Sequence, residues 1–520
     1  MSTRMHGDLL LQMSFWPAAM ASDDITVHVE SLARRLTQQQ EDAAATEQHR
    51  IMVNALRVSR VPDHVRVHNE DAYRPGLVAI GPLHAADKRL RAGYRLKMAY
   101  LHSLISRGHS DPARHLAVIE GYIRLVAARE REARAMYAAE DVDISAEDFI
   151  QMLVLDGCFI IEHLVNVAAS VEEASLYATP FGPAQLSIDL VLAENQIPFF
   201  VLVDLINSTR LPEELNTWAT AYQPAELLMK LVLYYLAGEK GRNMNVVGLP
   251  AANDVCHILH LLHAMVTAAR TRWEPPQRHQ DAAALEMMQE TARLLRRLPL
   301  LLLVPLLYPI LPEDSRWRAS YGREDLPSAS DLKRMWVRFK KARGGSTGKA
   351  PAGIASVLGP VPLAVKLAHE DRLHLPQLRI DFRTAPLLLN LMAFEQSADQ
   401  RAGDVSAYVW LMAKLVQLPE DAGVLVAAEV VQSAGSESKE DIARFFKHVG
   451  AASEAAAELE KSYLGVTLNK LRERSQHPLF MMWADVQRNY FTVPWAVVAE
   501  FVAFITFIST ILQTYGSFKH

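Results

Sequence analysis

Apolar residues recur at three- and four-residue spacing through most of the chain, the period of a helix with one buried stripe. Lys97–Arg107 and Ala113–Tyr137 carry this pattern among arginines and glutamates, so both predict amphipathic helices. Ser145, with Asp148 three residues on, is a helix-start signal in which aspartate replaces the usual Glu or Gln. It opens Phe149–Val167, apolar on most faces and therefore expected at the centre of the body. Ile188–Leu205, interrupted by Pro198, has the same character, as do Ala225–Ala237 and Val255–Ala269. Leu298–Leu311 is strongly apolar but too short to cross a bilayer and is broken by prolines, which predicts a buried core segment.

Elsewhere the period changes. From Val61 to Pro82 the prolines and Gly81 punctuate a stretch with few helical periods, predicting extended or turn segments. Arg343–Pro351 reads as a flexible loop. Leu373–Arg383 places Leu375, Leu378, Ile380 and Phe382 nearly two apart, a strand-like alternation. Helices resume over Pro386–Ala402 and continue to about Arg474. Near the N-terminus, Asp8, Gln12 and Pro17 interrupt the apolar core that a signal peptide needs, so residues 1–25 read as an irregular leader. The pattern predicts a mainly α fold with a few short strands. Its parts are a variable segment (1–50), a large helical body (51–490) and a C-terminal transmembrane helix with a short tail (491–520).

The transmembrane expectation rests on Pro494–Tyr515, whose length suits a hydrocarbon core. Trp495 and Tyr515 stand at its ends, where amphipathic aromatics prefer the interface, and Phe501, Phe504, Phe507 and Ile511 fill the interior. Glu500 is the one charge and lies near the first end, where it can snorkel. Lys470, Arg472, Arg474 and Arg488 precede the run while only Lys519 follows it, which favours a cytosolic body. A signal peptide at residues 1–21 would reverse that orientation and expose the sequon Asn207-Ser208-Thr209 to glycosylation, so both orientations stay open. The expected location is a single-pass protein of the plasma membrane, with the lipid bilayer as one partner.

Composition changes little in this picture. Half the residues are hydrophobic, 22% are charged and the net charge is −5, an ordinary globular balance without a broad basic surface for nucleic acid. Two cysteines, Cys158 and Cys256, are too few for a disulfide framework and suit small apolar roles.

Candidate chemistry begins with Asp156 and Glu194, acids inside apolar runs where an unpaired charge is expensive. As a general acid/base pair they would give a hydrolase-like enzyme. The favoured alternative is a polar network in which Asp156, Glu194, Asn195 and Gln196 satisfy backbone groups freed by the break at Pro198. In that network Gln at position 194 should be tolerated, whereas Leu should strand the surrounding donors. Glu395-Gln396, after Phe394, reads the same way. His257, His260 and His263 lack the spacing and the companion glutamate of a zinc hydrolase, so no metal is expected. Gly344–Lys349 is a phosphate loop out of register, with Ala350 where a magnesium-holding hydroxyl should be. No catalytic set and no cofactor fingerprint is present, so no enzyme is expected.

Several blocks resemble one family. They are Val78-Ala79-Ile80-Gly81-Pro82-Leu83-His84 with Lys97; Met152–Ile160, containing Asp156-Gly157-Cys158; and Asp189–Leu202, containing Glu194-Asn195-Gln196-Ile197-Pro198. Leu375–Leu378, Asn390–Gln396 with Phe394-Glu395-Gln396, Asn489-Tyr490-Phe491 and Pro494-Trp495 follow in the same order. Together they resemble the plant family called domain of unknown function 247; Ala79, Leu83, Ala193 and Val493 depart from its usual residues. The resemblance implies a plant protein without established catalysis, and some grass members of the family are pollen-side determinants of self-incompatibility. The expected function is membrane-anchored recognition or signalling, with a protein or peptide as ligand. An intracellular membrane-tethered scaffold is the alternative, followed by the enzyme using Asp156 and Glu194.

Overall fold

A computed structural model describes residues 58, 60–67, 69–107, 111–138, 142–172, 176, 181–244, 249–268, 326–342, 363–368, 371–397, 403–433, 435, 438–453, 462–490 and 506–510. They belong to the unit Arg57–His520. After a single turn at Asp63–Arg66 come α1 (Arg91–Ser106), α2 (Pro112–Ala128), α3 (Glu130–Arg134), α4 (Ala146–Ala168) and α5 (Phe181–Asp189). Then follow α6 (Phe199–Asn207), α7 (Asn216–Ala221), α8 (Pro224–Arg242), α9 (Ile258–Thr267) and α10 (Ala329–Arg334). Strands β1 (Arg338–Lys341), β2 (Lys366–Ala368), β3 (Arg372–Leu375) and β4 (Leu378–Ile380) lead to α11 (Thr384–Ser397), α12 (Asp404–Leu415) and α13 (Pro419–Ala427). Strand β5 (Val431–Ser433), α14 (Lys439–Ala451), α15 (Gly465–Gln476) and α16 (Pro478–Tyr490) complete the order. Mainly helical architecture with short strands is what the periodicity predicts.

Local chemistry sets the boundaries. The Ser145 hydroxyl accepts the Asp148 N–H and opens α4 as expected. α4 packs against α1, α2, α6 and α8, and buries Phe149, Leu153, Phe159, Ile160, Ile161 and Leu164. Among the described residues it is the one helix long and apolar enough to cross a membrane, but 78% of that stretch lies inside the body, so it is a core helix. Ala113–Tyr137 is not one helix: it breaks at Arg129, whose φ of −119° leaves the helical region and separates α2 from α3. Ile188–Leu205 is also interrupted more deeply than its periodicity suggests. The helix stops at Asp189, residues 190–198 run irregularly, and Pro198, which has no N–H to give, starts α6 at Phe199.

The strand-like alternation at 373–383 divides at Pro376 between two sheets. One has the order β1-β3-β2, with β1 parallel and β2 antiparallel to β3; the other pairs β4 with β5 in parallel. Phe382 falls beyond β4 and is 53% exposed, where it meets the exposed Phe181 edge to face. Most buried residues form one core, and a small satellite of Met335, Met481 and Ala484 joins α10 to α16. Neither cysteine is in a disulfide; Cys158 is buried and Cys256 half-buried.

Residues 1–25, Leu298–Leu311 and Arg343–Pro351 lie outside the described residues, as do Pro494, Trp495, Phe501, Phe504, Ile511 and Tyr515. Of the expected transmembrane run only 506–510 is described. It is helical and exposed, Phe507 included, with the Thr510 hydroxyl bonded back to the Thr506 carbonyl at 2.7 Å.

His163 of α4 gives the core a pH response. Its ring stacks on Phe159 and meets Tyr235 edge to face, and neither ring nitrogen has a hydrogen-bond partner among the described residues. Burial lowers its pKa from the usual 6.5 to about 4. The folded state therefore excludes a proton that the unfolded chain takes up below pH 6.5, so this contribution is intact above 6.5 and lost as pH falls toward 4. The expected loss is about 3 kcal/mol over that window. Denaturant unfolding across the window should show it, and His163→Phe should remove about that much of the slope.

Candidate functional site

The stretch from Val58 to Leu83 is buried at Val61, Tyr73, Val78, Ile80 and Leu83 yet has little regular structure. Val58 bridges Tyr137 and the turns at 63–66 and 70–73 pair largely within themselves, but the buried donors of Val61, Val78, Ile80 and Gly81 need other acceptors. Side chains of α4 and of the segment around residues 189–196 supply them. Asp189 accepts the N–H groups of Gly76, Leu77 and Val78 at 2.9, 2.7 and 2.8 Å. The Asn195 Oδ1 accepts Ile80 N–H at 2.7 Å, while its Nδ2 donates to the carbonyls of Val78 and Asp189. Asp156 accepts Gly81 N–H at 2.7 Å, and Glu194 accepts Val61 N–H at 2.7 Å. Asn390 of α11 ties in the other side, donating to Ala72 O and accepting Ala193 N–H.

The break at Pro198 is served mainly by Gln196. Its Nε2 donates to the carbonyls of Leu190 and Leu192, and its Oε1 accepts Leu259 N–H at the start of α9. The network expected around Pro198 thus reaches further than the break itself: Asp156, Glu194 and Asn195 are directed at segment 61–81. Two close approaches need glycine. Gly81 has φ +73°, and a Cβ there would stand 2.6 Å from Gln196 O, the carbonyl that accepts the Tyr137 hydroxyl. Gly157 leaves room for Leu205 of α6, whose Cδ1 lies 2.3 Å from where a Cβ would sit. Pro82 follows Gly81 and is half-buried, and burial raises the Cys158 thiol above its usual range.

The two candidate acids have different cationic partners. Asp156 pairs with the Lys97 ammonium of α1; burial pushes its carboxyl up, opposed by Lys97 and by the Gly81 N–H. Glu194 is fully buried against Arg66, with His84 Nε2 at 3.2 Å. Burial pushes its carboxyl up as well, but His84, Arg66 and the Val61 N–H outweigh that and hold it below the usual range. At Asp189 burial prevails over its N–H donors, and its carboxyl is raised. His84 and Asp189 stand in the family blocks without an assigned role, and Arg66 is not singled out from sequence; for Asp189 an acid closing the apolar run of α5 was the available signal.

Glu395 plays the same role on the other side of the core. It accepts the N–H groups of Val405 and Ser406 and the Ser406 hydroxyl, each at 2.9 Å, which fixes the start of α12. His263 Nε2 lies 2.9 Å from the same carboxylate, and Phe394 sits among the rings of His257, His260 and His263. His257 caps α9 by accepting His260 N–H, and His260 accepts Cys256 N–H. These histidines are engaged in packing and capping; no cluster suited to a metal ion occurs among the described residues. Gln396 is exposed, and Gly344–Lys349 lies outside the described residues.

One cavity opens onto this network. It holds about 400 Å³, with Asp156, Lys97 and Gly81 at its base and Lys88, Arg91, Tyr94, Asp148 and Gln151 around it. Lys88, Arg91, Asp148 and Gln151 are exposed, as is Tyr94 at 53%. The arrangement offers an aromatic face, two exposed cations and an acid around a buried ion-paired floor, which suits seating a polar group of a partner.

A family model described as a plant protein of unknown function, DUF247, matches residues 58–509. The chain is similar to a UPF0481 protein of Arabidopsis thaliana, 23% identical over 478 residues that cover 88% of this chain and 85% of the relative. A putative UPF0481 protein of the same plant is 24% identical over 159 residues, 31% of this chain and 28% of its own length. No solved structure matches the chain significantly.

The geometry changes what substitutions at Glu194 should do. Leu strands Val61 N–H and leaves Arg66 without its buried partner, so Glu194→Leu should lower stability by about 3–5 kcal/mol. Gln keeps an acceptor for Val61 but loses the charge facing Arg66, so Glu194→Gln should cost about 1–2 kcal/mol rather than being neutral. Gly81→Ala, strained in φ and crowded by Gln196 O, should cost about 1–3 kcal/mol. Equilibrium unfolding midpoints check all three, and equal midpoints for Glu194→Leu and wild type would remove the network from the account.

Proposed function

The chain belongs to the plant DUF247 family, and on that premise we propose that it is a membrane-anchored recognition protein that binds a protein or peptide partner and performs no chemistry. The observation that carries this reading is the engagement of the buried acids. Asp156, Asp189, Glu194 and Glu395 each accept backbone N–H groups of segments that would otherwise be unpaired. An acid held this way is poorly placed to move a proton, because taking one up would weaken the bonds that position it. Above Asp156 the cavity presents Tyr94 and Arg91, residue types that often dominate binding energy at interfaces.

The anchor is the run Pro494–Tyr515, argued from its length and its aromatic ends. Lys and Arg residues ahead of it favour a body on the cytosolic side of the plasma membrane. Within this reading, a pollen-side role in grass self-incompatibility is one instance, in which exposed loops would carry allelic specificity on a rigid body; swapping those loops between alleles should then transfer specificity.

Two measurements test the proposal. Full-length chain should stay with membranes after a carbonate wash, and removal of residues 491–520 should release it; a full-length chain that washes off sinks the anchor. Cross-linking of the full-length chain in its native membrane should capture a discrete partner, with yield at least tenfold lower for the Arg91→Ala, Tyr94→Ala double variant at unchanged folding. Undiminished cross-linking, or a small-molecule turnover lost in Asp156→Asn, would overturn the recognition reading.

A further inference from the structure

We propose that the cavity above Asp156 seats a carboxylate of a peptide partner, from an acidic side chain or a chain end. The proposal rests on the recognition reading and names the chemistry it would use. Four side chains at three-residue spacing line one side of the cavity: Lys88, Arg91, Tyr94 and Lys97. Positions three apart are neighbours on a helix surface, so α1 and the single tight turn before it (Lys88–Leu90) present them as one row. The row descends from solvent into the body. Lys88 and Arg91 are exposed and Tyr94 is 53% exposed, but Lys97 is only 8% exposed. From Arg91 to Lys97 is about 9 Å of helix.

Lys97 is the part of this row that calls for an anion. An ammonium has three N–H donors. Asp156 takes one of them, and the other two have no acceptor among the described residues. A buried charged donor left unpaired is costly, and a carboxylate reaching the base of the cavity would satisfy it. Nearer solvent, Lys88 and Arg91 make no ion pair among the described residues. Neither does Arg95, one turn along the same face of α1. Two of the three acids that line the cavity are already neutralised: Asp87 by Arg89 at 2.6 Å, and Asp156 by Lys97. Asp148 alone remains against Lys88 and Arg91, so the mouth is left with an excess of positive charge.

The residues contributed by α4 select a peptide as the carrier of that carboxylate. One oxygen of Asp148 accepts the Ser145 hydroxyl at 2.8 Å. Its other oxygen and the Gln151 amide make no hydrogen bond among the described residues. Both can accept backbone N–H groups, and Gln151 can also donate to a carbonyl, so together they match a peptide backbone beside the seated acid. A lipid headgroup or a nucleic-acid strand would set phosphate against Asp148 instead, and a flat bilayer cannot reach a lysine as deep as Lys97. Leu90 and Leu155, both buried, add an apolar lining that suits the methylenes of a glutamate. At about 400 Å³ the cavity has room for such a side chain.

The test measures the fluorescence anisotropy of dye-labelled octaglutamate amide with the full-length chain in uncharged detergent. Octaglutamate should bind, octaglutamine amide should not, and high salt should weaken the binding at least tenfold. The Lys88→Gln, Arg91→Gln double variant should also weaken it at least tenfold. The Lys333→Gln, Lys447→Gln double variant removes two cations that do not line the cavity and should leave it unchanged. All four positions are exposed, and a circular dichroism spectrum checks that the variants fold. Octaglutamine with a free C-terminus tells the two sources apart. If it binds, a chain end supplies the carboxylate; if octaglutamate alone binds, a side chain does, and either result supports the site. Equal affinities in wild type and the Lys88/Arg91 variant overturn the proposal, as do equal losses in both double variants. Binding of single-stranded RNA or phosphatidylserine vesicles through Lys88 and Arg91, where octaglutamate fails, overturns it too. Cross-linking in the native membrane separates the two readings. A partner captured through Arg91 and Tyr94 without octaglutamate binding sinks the carboxylate and leaves recognition standing. Octaglutamate binding through Lys88 and Arg91 with undiminished cross-linking supports the site and sinks the recognition reading.

Discussion

A buried stretch of backbone without a sheet partner is the constraint on which the rest of this fold depends. At the buried positions Val61, Val78, Ile80 and Gly81 each unpaired N–H would cost about 1–3 kcal/mol. The chain meets that demand with acids and amides rather than with strands. Asp189 alone accepts three successive N–H groups, and Asn195, Asp156 and Glu194 take others. Each acid must itself be tolerated in the core, and each has a local answer. Asp156 has Lys97, Glu194 has Arg66 and His84, and Asp189 gathers N–H groups together with the Gln185 amide.

This arrangement couples parts of the chain that are far apart in sequence. Val78 and Asp189 are 111 residues apart, and Asn390 reaches Ala72 across 318. Segment 61–81 is thereby clamped between α4, the 189–196 segment and α11, and the cavity above Asp156 inherits a floor that cannot shift without breaking buried bonds. A hydrogen-bonded floor under exposed rim residues suits recognition, because little ordering entropy is lost at the base when a partner binds.

Periodicity made the helices legible. Ser145 and Asp148 marked the start of α4, and its apolar faces marked it as central. Where periodicity failed, the cause was a local break that apolar spacing does not record: Arg129 between α2 and α3, and the irregular path from Leu190 to Pro198. The polar network was legible in part. Glu194, Asn195 and Gln196 stood out because polar groups in an apolar run need partners. The identity of those partners had no sequence signal, since Arg66, His84 and the N–H groups of segment 61–81 lie more than a hundred residues away. Asp189 was passed over because an acid at the end of a helix looks unremarkable until three N–H groups converge on it.

The side of the β1-β3-β2 sheet that carries Lys340 was invisible for a different reason. A net charge of −5 averages over the whole chain, and β1 and β2 are separated by a long connection, so no window of sequence shows Lys340, His374 and Lys366 side by side. Only register brings them together. The same pairing puts Phe339, Leu373 and Leu375 on the opposite side, so the apolar requirement of the core fixes where the cations must point: a slip of one residue would bury Lys340 and expose Leu373. The orientation of this charged face is therefore enforced by hydrophobic burial rather than by the charges themselves.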